Sequence, residues 1–203
     1  MRRAVTGLIC LLLAACAGIG PGGAPERLAL RNGAVTAAGP AGYCADASSS
    51  RPARGFAVFA ACASLGVEDA ALPGIVAVAT VQVGEAGSAF VTGDEVALAA
   101  VLEAEMGRAM LSRRQQMNDI TIRRTETGPG LVLVSFTDTH PAEIAGVEAG
   151  EFRAFFDIGD RLVTVSLRGL ADRPLSASAG ENLVSRFVTA MQQANAPVTA
   201  SGS

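Results

Sequence analysis

The chain opens Met1-Arg2-Arg3 and runs at once into an apolar stretch, residues 4–15, that ends Leu13-Ala14-Ala15 before Cys16. A charged start, a short apolar core and then small residues is the layout of a secretory signal. The stretch is too short to span a bilayer, which takes about 20 residues. Arg2 and Arg3 stay on the cytoplasmic side during insertion. This segment constrains everything after it. The fold has to be built from what remains after export, in an oxidising space. Removing 15 of the 203 residues leaves 188, which suits one domain and is ample for a core.

Leu13-Ala14-Ala15-Cys16 resembles the lipobox of bacterial lipoproteins. That resemblance implies cleavage between Ala15 and Cys16, with diacylglycerol on the Cys16 thiol and Cys16 as the mature N-terminus. Several acyl chains together hold a protein at a membrane better than the marginal binding of one. In that family an Asp after the cysteine tends to retain the protein at the inner membrane. Ala17 in that place implies the outer membrane, with the domain facing the periplasm. Two other readings stand beside it: an ordinary secretory signal cut elsewhere, such as after Ala17, and an uncleaved anchor.

The four cysteines sort by position. Cys10 leaves with the signal, Cys16 takes lipid, and Cys44 and Cys62 remain as an even pair. A Cys44–Cys62 disulfide is expected, closing a loop of about 18 residues and stabilising the fold by roughly 3 kcal/mol in the chain-entropy picture. A redox-active pair or a metal site is the alternative. The spacing is not C-x-x-C, and one histidine is too few to complete an ordinary zinc set.

Loss of Arg2 and Arg3 moves the formal charge from −3 to −5. A mildly acidic chain concentrates no positive charge against phosphates, so nucleic acid is not an expected partner. Every basic side chain is Arg, and without Lys there is no Schiff-base or lysine general-base chemistry. Trp is absent and Tyr43 is the sole tyrosine, which disfavours a carbohydrate platform of stacked aromatics.

Residues 16–26 are rich in Gly, Pro and Ala and read as a flexible tether, which leaves 27–196 as a single domain and 197–203 as a disordered tail. Leu28, Leu30 and Val35 flank Asn32-Gly33, the signature of a short hairpin. A turn follows at 39–44, then an exposed loop at 45–54 and a strand at 56–62. Residues 75–83 form the longest β-like run, and their near-continuous apolarity predicts a central strand covered on both faces. Thr92-Gly93-Asp94-Glu95 reads as a capping box opening a helix over 94–113. The spacing of Val96, Ala99, Ala100, Leu102, Glu103, Met106, Ala109 and Met110 is mostly helical and suggests its apolar stripe, which Leu98, Val101 and Leu111 broaden. Alternation then predicts strands near 118–126, 131–136, 151–158 and 161–169, two consecutive hairpins. Ser178-Ala179-Gly180-Glu181 reads as a second capping box for a helix over 181–194, with Leu183, Val184, Phe187, Val188 and Met191 on one stripe.

Runs of strands with helices set apart predict an α+β fold: an antiparallel sheet with two main helices packed on it. This order is similar to that of PsbP/Mog1-like sheet domains, several of which are lipoproteins. The Gly42-Tyr43-Cys44 turn with its second cysteine also looks like small uncharacterised lipoproteins of alphaproteobacteria.

Chemistry-bearing residues are sparse. His140, in the loop Thr139-His140-Pro141-Ala142-Glu143 with Asp138 two residues back, offers a general base or a weak metal ligand against the plainer reading of a solvated loop. Ser48-Ser49-Ser50 lacks a nucleophile elbow, and S-x-x-K is impossible without Lys. Asp138, Glu151, Asp157 and Asp160 offer paired carboxylates or a calcium site, against hairpin-end turn residues. Arg113-Arg114 and Arg123-Arg124 form a basic cluster that would meet anionic headgroups or an acidic partner, or else guard a solvated strand edge.

The expectation is a non-enzymatic envelope protein without cofactor or metal. Its partners would be the membrane, through the acyl chains on Cys16, and an envelope protein for which it serves as interaction or assembly module. A carrier enclosing a lipid or small hydrophobic ligand is the second hypothesis, and a hydrolase using His140 the third. A deep apolar pocket favours the carrier, a cleft converging on His140 the enzyme, and an exposed apolar patch the interaction module.

Overall fold

A computed structural model describes residues 23–112, 114–140 and 144–197. The signal segment, Cys16, most of the tether, Arg113, residues 141–143 and residues 198–203 lie outside the described residues.

The chain forms β1 (Arg27–Leu30), β2 (Val35–Ala38), β3 (Tyr43–Ala45), β4 (Phe56–Ala61), β5 (Ala77–Val83), α1 (Glu95–Glu103), α2 (Glu105–Leu111), β6 (Ile120–Gly128), β7 (Leu131–Asp138), β8 (Gly150–Ile158), β9 (Arg161–Gly169) and α3 (Ala177–Ala194). Seven strands make one antiparallel sheet in the order β3-β4-β5-β9-β8-β7-β6, and β1-β2 is a separate hairpin. This is the α+β class expected of the element order. The hairpin turns at Arg31, Asn32 and Gly33, all with positive φ, as the Asn-Gly signal requires. The Pro25 carbonyl accepts from the Ala45 amide, so chain expected to be free tether is already paired to β3. Cys44 and Cys62 are joined by a disulfide that staples β3 to the end of β4.

The two faces of the sheet are covered differently, and this asymmetry places the site. Side chains alternate along each strand. One set points to the first face: Phe59, Val81, Phe152, Phe156, Val165 and their neighbours pack beneath α3 and the β1-β2 hairpin. Phe187 of α3 meets Tyr43 and Phe59 edge-on, with ring centroids 5.0 and 5.9 Å away. Burial pushes the Tyr43 hydroxyl up to about 12, and that hydroxyl donates to the Ile75 carbonyl at 2.7 Å. The second face has a smaller cluster, where Leu98, Leu102 and Leu111 of α1 and α2 sit on Ile120, Val132, Val134 and Phe136 of β6 and β7. Phe155 of β8 and Leu162 of β9 pack at its edge, and the layer does not reach Val58 of β4 or Val78 of β5.

Four expectations are corrected. The helix predicted over 94–113 breaks at Ala104, whose backbone is extended, because Gly107 lets α2 fold against α1; a Cβ there would lie 1.9 Å from the Val101 carbonyl oxygen. Its apolar stripe is only partly the one suggested, since Leu102 and the broadening Leu98 and Leu111 turn inward and much of the rest does not follow. Leu98, Leu102 and Leu111 face the sheet, while Val96, Met106 and Met110 are 75, 76 and 68% exposed. Finally, β5 is not covered on both faces: Ala77, Ala79, Val81 and Val83 are buried, while Val78 and Thr80 are half-exposed on the second face. The start of α3 also moves, since the Ser176 hydroxyl, not Ser178, caps it by accepting from the Ala179 amide at 3.2 Å.

Candidate functional site

Over β4, β5, β9 and β8, the second face is left open. The strands there lie in register, so their side chains form rows across the sheet. Val58 lies opposite Thr80, Thr80 opposite Ser166, Ser166 opposite Arg153, and Arg153 opposite Val134. The next row pairs Val78 with Arg168. These rows floor a cleft of about 550 Å³. One wall is the loop after β3 with Asp46 and Ser49, and the other is the loop before β8 with Ile144 and Val147. Phe56, Val58, Ala60 and Val78 make the strand side apolar.

The opposite end carries charge. Glu151 of β8 is 2% exposed and lies between two guanidinium groups. Arg153 donates to its Oε1 through Nε at 2.8 Å and through Nη2 at 2.5 Å, and the same Nε donates to the Ser166 hydroxyl at 2.9 Å. Arg168 donates to Glu151 Oε2 through Nη2 and to the Glu148 carbonyl through Nη1 at 2.9 Å. Burial alone would push the Glu151 carboxyl up. The charges of Arg153 and Arg168 and their hydrogen bonds outweigh it and hold the carboxyl below the ordinary glutamate value. Arg153 also stacks over the Phe136 ring, 5.1 Å from its centroid. The two arginines are not equivalent. Arg168 is 8% exposed and turned to backbone carbonyls, whereas Arg153 is 17% exposed and its Nη1 donates to no described residue.

The rims are firmly built. Asp46 accepts from the amides and hydroxyls of both Ser48 and Ser49, at 2.5–3.2 Å. The Ser48 and Ser49 hydroxyl bonds lead in holding its carboxyl down at about 2. The Ser50 hydroxyl donates to the Asp46 carbonyl and accepts from the Val58 amide, which ties this loop to β4. On the other side Glu148 Oε1 accepts from the amides of Gly169 and Leu175, both at 2.9 Å.

The acidic candidates from sequence do not converge. Asp157 accepts from the amides of Phe90, Val91 and Thr92, and Asp160 from that of Gly87; both pin the segment between β5 and α1. Asp138 is buried and accepts from the His140 amide at 2.9 Å. His140 is half-buried and is not among the residues lining the cleft. Among the described residues no three His, Cys, Asp or Glu side chains are placed to hold a metal ion. Of the serines, Ser49 lines a rim, while Ser48 is bonded to Asp46. Of the basic cluster, Arg113 lies outside the described residues. Arg124 pairs with Glu126 and lies 3.8 Å from Glu181 of α3. A bulge between Ile122 and Arg124 turns Arg124 to the α3 side of the sheet, a shift that strict alternation does not show.

Sequence reasoning missed Arg153, Ser166 and Arg168. A signal was present: Glu151 and Arg153 are two apart on β8, as are Ser166 and Arg168 on β9, so each pair shares a face.

No protein-family profile matches this chain, and no curated protein matches it. Among solved structures, the Saccharomyces cerevisiae Ran-binding protein Mog1p is similar at 14% identity and a TM-score of 0.45, over 85% of this chain and 95% of that one. A point mutant of protein Mog1 is similar at 13% identity and a TM-score of 0.46, over 83% and 93%. Mog1 structures are thus among the neighbours, in keeping with the element-order resemblance. They bear on no residue of the cleft.

Proposed function

We propose that this chain is a lipid-anchored, non-enzymatic binding protein of the bacterial envelope. It is held through Cys16 at the periplasmic face, and it carries a small hydrophobic ligand in the cleft on the second face of its sheet.

 The observation that carries this reading is the open cleft itself: about 550 Å³, apolar along β4 and β5 and charged beneath β8 and β9. Small-molecule sites are commonly of this size and of this mixed character, mostly apolar with a few placed polar groups. Among the described residues that line it, the polar groups are the carboxylates and guanidinium groups of Asp46, Glu151, Arg153 and Arg168 with hydroxyls beside them, which suit the holding of a ligand. The lipobox-like Leu13-Ala14-Ala15-Cys16 supports the lipid anchor, and Ala17 after it the outer-membrane address.

The test uses protein taken from its own membranes. Denatured, it is expected to begin at Cys16 and to weigh more than its amino acids by the attached lipid. Under native mass spectrometry it is expected to retain a small non-covalent adduct, which Val78→Arg removes by filling the cleft. An unmodified mass overturns the anchor, and a bare native mass, or an adduct that Val78→Arg leaves in place, overturns the carrier.

One observation favours a second reading, an interaction or assembly module docking an envelope protein. Val96, Met106 and Met110 are exposed on α1 and α2, where large apolar side chains are costly to leave in water. Cross-links to one envelope protein from a photoreactive group at Met106, abolished by Met110→Glu and indifferent to Val78→Arg, would establish that reading in place of the carrier.

A further inference from the structure

Resting on the reading of the cleft as a ligand site, the geometry points to the class of ligand: a free single-chain amphiphile with one anionic head, the head against Arg153 and the chain across Val58 and Val78. Three observations carry this.

The first is charge. Glu151 is one carboxylate between two guanidinium groups, which leaves an excess positive charge at the floor of the cleft. Charge held away from bulk water is costly without a counter-charge. The excess sits at Arg153, the more exposed of the two, whose Nη1 donates to no described residue. Asp46, the other acid at the cleft, lies on the far rim with its carboxylate already accepting four hydrogen bonds from Ser48 and Ser49.

The second is the division of the cleft. From Arg153 on β8 to Val58 on β4 is three strand spacings, about 14 Å at about 4.8 Å each. Charge lies at one end of that line, and Phe56, Val58, Ala60 and Val78 lie at the other. A ligand that satisfies both ends has a charged head and an apolar chain.

The third is the backbone. The floor strands β4, β5, β9 and β8 are each paired on both sides, so their amides and carbonyls are taken up by the sheet. A peptide added as a strand needs a free edge, which this floor does not offer. The occupant is therefore bound through side chains, and a chain of methylene groups needs nothing else.

Both core clusters and the disulfide lie within residues 23–197, so a soluble chain beginning at Ala17 retains the whole folded body. The experiment titrates that chain calorimetrically with decanoate, decanol and decyltrimethylammonium. Decanoate is expected to bind at least about ten-fold more tightly than the ammonium compound, the scale of one charge-assisted hydrogen bond. Arg153→Met is expected to weaken decanoate by about ten-fold and to leave decanol unchanged. Because Arg153→Met also strips a partner from Glu151, Ser166→Asp serves as a second variant. It keeps the guanidinium, supplies an internal counter-charge, and is expected to weaken decanoate similarly. If decanol and the ammonium compound bind as well as decanoate, the anionic head is wrong while the cleft remains a ligand site. If none of the three binds, both readings fall. Vesicles of phosphatidylglycerol that displace decanoate in an Arg153-dependent way would overturn the free single chain in favour of a membrane-lipid headgroup.

Discussion

Glu151 is the residue on which the floor of the cleft depends. It neutralises one of two guanidinium groups that otherwise face each other in a largely dry setting. Removing one member of such a cluster leaves charge unpaired, at a typical cost of about 3–5 kcal/mol. Glu151→Gln is therefore expected to lower stability by about that amount near neutral pH, measured by urea unfolding. The carboxyl is held below its ordinary value of 4.5, so its contribution is complete above that pH and is lost as pH falls through the folded-state value. The gap between the parent and Glu151→Gln should narrow correspondingly in acid. A gap that is absent, or unchanged on acidification, contradicts the assignment. In the sequence, Glu151 stood among four carboxylates with nothing to rank them. Three of them accept from backbone amides, Asp160 also lying 3.7 Å from Arg161, whereas Glu151 is clasped by both Arg153 and Arg168. The pairing with Arg153 was legible from their spacing on one strand. The pairing with Arg168 needed the register of β8 against β9, which no local pattern carries.

Among the elements, α3 shows how closely the first face is packed. Gly180 lies against Phe152, and a Cβ there would come within 2.1 Å of the ring. Helix propensity alone makes Gly180→Ala favourable by about 1 kcal/mol. Overpacking costs about 1–3 kcal/mol. The contact is expected to win, so Gly180→Ala should lower the midpoint of unfolding; a raised midpoint would show that Phe152 yields freely. The same element illustrates what sequence can show. Its stripe of Leu183, Val184, Phe187, Val188 and Met191 is all buried, because one strong helical period faces one sheet. The α1–α2 region is different. It is apolar on most sides, so periodicity could not say which side faces inward, and the break at Ala104 depends on a close approach at Gly107. The apolar run of β5 was likewise ambiguous: Val78 is apolar because it lines a cleft, not because a layer covers it.

At the scale of the molecule, the unequal cover of the two faces connects fold to function. The α3 layer and the β1-β2 hairpin close the first face, while α1 and α2 cover only the β6-β7 end of the second. The antiparallel sheet, the hairpins and the disulfide could be read from alternation, turn residues and cysteine count. The cleft could not, because it arises where β5 is placed beside β9, between elements far apart in sequence. The measurement that tests the cleft most directly is a decanoate titration of the isotopically labelled soluble chain, followed by amide chemical shifts. The amides of Val58, Val78, Thr80, Arg153 and Ser166 should move together and saturate, with those of Met106 and Met110 unmoved. Shifts confined to α1 and α2, or none at saturating decanoate, would contradict it.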